Sequence, residues 1–138
     1  MYNLLIVTHG PLAGALKETL KMFTSDVEDI HAVGLTESGV EEFKVKVIDA
    51  VDNFYKQGKG LLVLVDLFGG TPFNVSMLEL KNKYENVEII TGVNLPLLIE
   101  ASLLRGSSNL EDIIDTLRES AQGAIISPGE NKSSEDDE

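Results

Sequence analysis

Short apolar runs alternate with longer amphipathic stretches along this chain. Runs at 3–8, 28–35, 61–66 and 87–91 have the length of buried strands and lie between turn-forming residues. Ala124-Ile125-Ile126-Ser127 is a fifth, shorter candidate. Helical spacing fills the gaps. From Pro11 to about Phe23, Leu12, Leu16, Leu20 and Phe23 share one face. Val40, Phe43, Val47, Val51 and Phe54 form a second stripe, opened by Ser38-Gly39-Val40-Glu41, a capping-box pattern. A third helix is predicted from Thr71-Pro72, with proline at its first position and Phe73, Met77, Leu80 and Tyr84 facing inward. A fourth starts near Pro96 with Asn94 as its cap and stops at Arg105-Gly106. A fifth runs from about Leu110 to Gln122, opened by a second capping-box pattern, Ser108-Asn109-Leu110-Glu111, and ended by Gly123.

This β-α-β-α-β-α-β order implies an α/β fold with an open, mainly parallel sheet and helices on both faces. Ligands of such sheets sit beyond the carboxyl ends of the strands, where the strand order reverses. The first and third strands commonly flank that point. The first ends at Thr8-His9-Gly10-Pro11 and the third at Asp66, followed by Phe68-Gly69-Gly70-Thr71-Pro72-Phe73-Asn74. Topology alone therefore places His9 opposite Asp66.

Composition narrows the functions open to such a site. At 138 residues the chain has the length of one domain, with no apolar stretch long enough to span a membrane and no secretory start, so the expected location is cytoplasmic. It has no cysteine, hence no disulfide or thiolate metal site. The net charge of −12 opposes binding to nucleic acid. Residues 128–138 hold five acids and one lysine, −4 of that total, and read as a solvated, disordered tail after a folded domain at 1–127. The remaining acidity favours a basic protein partner.

A histidine at a strand end is commonly a polar loop residue, and an aspartate there commonly caps the next helix. Together they make a different unit: a carboxylate on one ring nitrogen leaves the other free to attack, and stabilises positive charge that develops on the ring. Gly69-Gly70-Thr71-Pro72 adds a loop whose backbone can approach an anion, with Thr71 as both N-cap and hydroxyl donor. His31 lies in the second strand, away from the switch point, and reads as a packed or surface residue. Two histidines without a carboxylate cluster give no metal-ligand spacing, no cofactor is implied, and no GxxxxGK[ST] motif is present.

The strand end Thr8-His9-Gly10, the stretch from Val65 to Asn74 and the segment Thr91-Gly92-Val93-Asn94-Leu95-Pro96 together resemble enzyme IIA of the mannose class of the phosphoenolpyruvate-dependent sugar phosphotransferase system. The likeness extends over roughly residues 2–127. It implies a phosphohistidine carrier, a phosphotransferase in which His9 takes a phosphoryl group on Nε2 from phospho-HPr and passes it to a IIB protein or domain for sugar uptake. Asp66 would hold Nδ1–H, and Thr71 with the Gly70 backbone would contact the phosphoryl oxygens. Phe23, beside Met22, would close an apolar wall over the site. The resemblance further implies a homodimer that exchanges an antiparallel edge strand, for which 124–127 is the candidate, and contact with the membrane only through the permease. Three rivals remain open: a phosphotransfer subunit serving dihydroxyacetone kinase, a receiver-like domain phosphorylated on Asp66, and a noncatalytic anion-binding module.

Overall fold

A computed structural model describes residues 1–55 and 59–130 of the chain. In order it forms β1 (Tyr2–His9), α1 (Leu12–Leu20), β2 (Ile30–Leu35), α2 (Val40–Phe54), β3 (Gly60–Val65), α3 (Gly70–Ser76), β4 (Val87–Thr91), α4 (Leu95–Leu104) and α5 (Leu110–Gly123). The four strands are all parallel, in the order β2-β1-β3-β4. The chain thus adds β2 on one side of β1 and then crosses to add β3 on the other. The reversal falls between β1 and β3, where the alternation of elements places it.

Both central strands are buried on both faces, which is why they read as unbroken apolar runs instead of alternating ones. Leu4, Ile6, Leu62 and Leu64 face a core completed by α1, α4 and α5. Leu5, Val7, Val63 and Val65 face a second core completed by α2 and by α3 with its extension. Each fully buried leucine or valine there contributes about 1.5–3 kcal/mol relative to exposure. The two layers hold β1 and β3 side by side as a rigid floor for whatever their ends carry.

The helices depart from the expected pattern at their ends. Neither capping box forms. Val40 follows Gly39, whose φ of 104° turns the chain into α2 with no side-chain cap. Ser38 instead gives its backbone N–H to the Thr36 hydroxyl oxygen. Asn109 occupies the N-cap of α5, and its side chain likewise makes no cap bond. The buried stripe of α1 runs through Ala13 and Leu20 with Leu16 beside them, while Leu12, its first residue, is exposed, and so is Phe23, which lies past the helix end at Leu20. The third helix opens at Gly70, so Pro72 is its third residue, and Thr71 is not the cap. After Ser76 it widens into a π-helical turn, Met77–Lys81, that buries Leu80 and Glu79. Glu79 is tolerated there because Lys44 of α2 and Lys83 bind its carboxylate.

Ala124–Ser127 forms no strand within the chain. An antiparallel edge strand would need a neighbour here, and the described residues supply none. Pro128–Glu130 makes a single 3₁₀ turn, and the rest of the acidic tail lies outside the described residues. Among the described residues no helix is long and apolar enough to cross a membrane.

Asn94 performs as expected and does more. Its Oδ1 accepts the Leu97 N–H at 3.0 Å, while its Nδ2 donates to the Ala121 carbonyl at 3.2 Å. One side chain thereby caps α4 and ties it to the end of α5. Asn94→Ala is expected to lower stability in urea unfolding by about 1 kcal/mol or more, and Asn94→Asp by less because the cap survives. Equal midpoints for wild type and Asn94→Ala would remove this clamp from the account.

Candidate functional site

The two strand ends meet as their neighbouring positions require. Val7 is paired with Val65, so the residues just beyond, His9 and Asp66, emerge together at the carboxyl edge. Asp66 Oδ2 accepts the His9 backbone N–H at 2.9 Å and lies 3.0 Å from His9 Nδ1. Its Oδ1 accepts the Leu67 N–H at 3.0 Å. An ionised carboxylate only accepts, so Nδ1 is the donor and the lone pair of the neutral ring resides on Nε2. The carboxylate side chain is 12% exposed and the imidazole 44%, so the ring reaches solvent while the carboxylate that holds it is largely covered.

Burial pushes the Asp66 carboxyl up, but the hydrogen bonds from the His9 backbone and ring, its attraction to the imidazole, and the Leu67 N–H outweigh this and hold it below the usual carboxylate range. The acid is therefore ionised at neutral pH and stays an acceptor.

Several residues without obvious chemistry hold His9 in place. Thr8 is fully buried, and its Oγ1 accepts the Ala13 N–H at 2.8 Å. It supplies from the strand the cap that Pro11 cannot give α1. Gly10, at φ 59°, donates its N–H to the Leu35 carbonyl at 2.7 Å. The neighbouring Gly34 makes this possible, since a Cβ there would lie 2.0 Å from the Gly10 carbonyl oxygen. On the far side, the Val93 N–H bonds the Val65 carbonyl at 3.0 Å, so the turn after β4 braces the end of β3 next to Asp66. The sequence signal for Thr8 and Gly34 is weak, because one is a small polar strand residue and the other an ordinary strand glycine.

The glycine loop closes the third side. A Cβ on Gly70 would lie 3.4 Å from His9 Cε1 and 3.6 Å from Nε2, so the backbone of this residue rests against the free edge of the ring. Gly69 and Gly70 take φ of 90° and 82°, a region other residues enter at a penalty. The N–H groups of the first turn of α3 begin at this point, and Thr71 sits in that turn, half-buried. His9, Asp66 and Gly70 are thus brought together, with Thr71 next in the chain.

Phe23 is not part of this arrangement. The helix α1 leaves the His9 edge and rises about 1.5 Å per residue, so its nine residues carry the chain to the other end of the sheet. The adjoining Thr24 lines a cleft there with Tyr2, the first residue of β1, and with Arg105. The apolar residues that do flank the site went unread in the sequence: Pro11 and Leu12 after His9, and Leu67 and Phe68 after Asp66, all exposed. His31 lies in β2 as expected, half-buried with its ring centroid 4.2 Å from that of Phe54. Burial lowers its pKa, and Lys17 adds to this against an opposing pull from Asp29.

Comparison with known proteins supplies the decisive observation. The EIIA-man family model, described as the PTS system fructose IIA component, matches residues 3–118. The chain belongs to this family. It is 30% identical over 123 residues to the fructose-specific EIIA component of Bacillus subtilis, covering 88% of this chain and 83% of that one. It is 32% identical over 102 residues to the mannose-specific EIIAB component of Escherichia coli K12, covering 74% of this chain and 31% of that longer one. The crystal structure of an EIIA component from Streptococcus agalactiae superposes with a TM-score of 0.79 at 28% identity, over 92% of this chain and 97% of that one. The parallel α/β architecture is thus that of phosphotransferase-system EIIA proteins.

In this EIIA fold the Asp66 shift carries a sign. The folded carboxyl titrates below its unfolded value, so the stability it contributes is complete above about pH 5 and is lost as acid protonates it below about pH 4. The stability difference between wild type and Asp66→Asn should therefore shrink as the pH falls from about 5 toward about 3 in chemical denaturation. A difference independent of pH over that range would contradict the hydrogen-bonded carboxylate.

Proposed function

We propose that this chain is a phosphoryl carrier of a sugar phosphotransferase system, loaded at His9 by phospho-HPr and discharged to a IIB protein in the cytoplasm. The observation that carries the reading is His9 Nδ1 held 3.0 Å from Asp66 while Nε2 faces the Gly70 backbone. In transfer, Nε2 attacks the phosphorus of the donor phosphohistidine as the donor N–P bond breaks and the donor imidazole leaves with its electron pair. His9 keeps its Nδ1 proton, and Asp66 balances the positive charge on the phosphorylated ring. The N–H groups at the start of α3 and the Thr71 hydroxyl receive the phosphoryl oxygens. Discharge to IIB is the reverse displacement.

The relatives named for fructose and mannose, one of them carrying A and B parts in a single chain, favour sugar uptake over service to dihydroxyacetone kinase. A receiver-like role for Asp66 is disfavoured, since its carboxylate is engaged by His9 and Leu67, and no group of three or more acidic or histidine side chains fit to hold a metal occurs among the described residues.

The active unit in this reading is a homodimer. Among the described residues β4, like β2, is an edge strand, a position proteins commonly protect. Ile125 is 83% exposed and lines a groove of about 420 Å³ with Phe73, Ile90 and Ala121 on that side. Residues 124–127 of a second copy would add to β4 there.

Native mass spectrometry after incubation with phosphoenolpyruvate, enzyme I and HPr tests both parts. The expected species is a dimer with one acid-labile, base-stable phosphoryl group per chain, absent from His9→Ala. A base-labile group that survives in His9→Ala would reassign the acceptor to Asp66, and a monomer throughout would remove the exchanged strand.

A further inference from the structure

We propose that His31 is an acid-sensitive pin: its neutral ring holds the end of α2 on β2, and a proton taken up there loosens the strand that braces Gly10. The ring lies half-buried on the α2 face of β2, its centroid 4.2 Å from that of Phe54, the last residue of α2. Its Nδ1 is buried and has no hydrogen-bond partner. A neutral imidazole tolerates this, with its proton on Nε2 and a bare nitrogen inside. The imidazolium carries a proton on both nitrogens. Its Nδ1–H would then be a buried, charged donor with nothing to receive it.

The surroundings offer no remedy. In the sheet register Leu5 of β1 stands opposite His31. Asn3, two positions earlier on the same face of β1, has its own Nδ2 buried without a partner, a donor where an acceptor is needed. From α2 comes the Phe54 ring, and from α1 Lys17, which repels a second positive charge. Asp29, just before β2, favours that charge, but both of its oxygens are held by Arg105, at 2.8 and 2.9 Å. Burial, with Lys17, outweighs Asp29, and the folded ring titrates below its ordinary value.

The position of the ring carries the effect toward the site. β2 is an edge strand of six residues, with a strand neighbour on one side only. Its place depends on the helices packed across it, and short peripheral elements open as cooperative units. The last residue of β2 is Leu35, whose carbonyl accepts the Gly10 N–H at 2.7 Å, one residue beyond His9. Release at His31 thus reaches the loop that carries the other histidine, while the central strands stay closed. Because the folded ring binds its proton more weakly than the unfolded one, the stability it contributes is complete above about pH 6.5 and is lost as the pH falls below that value.

Hydrogen exchange at the Gly10 amide, compared among wild type, His31→Phe and His31→Gln between about pH 7 and about pH 5, tests the pin. Both substitutions remove the proton site, and the phenylalanine keeps a ring against Phe54. Ratios taken at one pH cancel whatever the chains share, His9 included. The wild-type rate relative to either variant should rise as the pH falls, by up to about tenfold per pH unit. Val63, in the central strand β3, should show no such rise. A ratio that stays flat overturns the pin. An equal rise at Val63 overturns the local release, since the whole domain would then be opening. The NMR titration of the His31 ring in the wild type decides the matter even where a variant fails to fold. A midpoint below about 6.5 is expected, and one at or above it would overturn the pin, because the charged ring then finds an acceptor.

Discussion

The carboxylate of Asp66 is shared between the His9 backbone N–H and the His9 ring, and the rest of the site depends on that pair of hydrogen bonds to one oxygen. The backbone contact fixes where β1 ends relative to β3. The ring contact fixes the tautomer and the direction of the lone pair. Both go to Oδ2, so the same oxygen that is fixed at the strand end orients the ring. The remaining oxygen accepts the Leu67 N–H, so the carboxylate is bonded at both oxygens.

That interaction exists only because of the sheet. Two strands buried on both faces must lie at the centre, and the crossing from β2 to β3 over β1 puts the switch point between them. The helices contribute placement more than chemistry. α1 is capped from inside β1 by Thr8, and α3 begins at Gly70, which lies against the ring. The turn after β4 is bonded to the end of β3. Each brace acts on a strand end, and none requires an ionisable group.

This division explains what could be read from the amino-acid order. The third strand was legible because the uninterrupted apolar run Leu61–Val65 between turn residues has few other uses. His9 and Asp66 followed from topology, since each ends a central strand. Helix caps were misread because Gly39 and Gly69 reach positive φ and start helices without a side-chain acceptor, so Ser38 and Thr71 were left without the roles their types suggest. Phe23 was placed at the site by analogy, although a nine-residue helix carries it to the opposite edge. Phe68 was passed over because one aromatic in a glycine loop gives no periodic signal, and only its exposure next to Asp66 distinguishes it. Ile125 and Ile126 were read as strand, yet among the described residues no strand pairs with them.

The central claim is that Asp66 binds Nδ1 and leaves Nε2 as the attacking atom. Long-range ¹H–¹⁵N correlation of the His9 ring, recorded before and after phosphorylation, addresses it directly. The account predicts a proton on Nδ1 and none on Nε2 in the free neutral ring, then phosphorus coupling at Nε2 in the loaded chain. A neutral ring protonated at Nε2, or phosphorus on Nδ1, would contradict it.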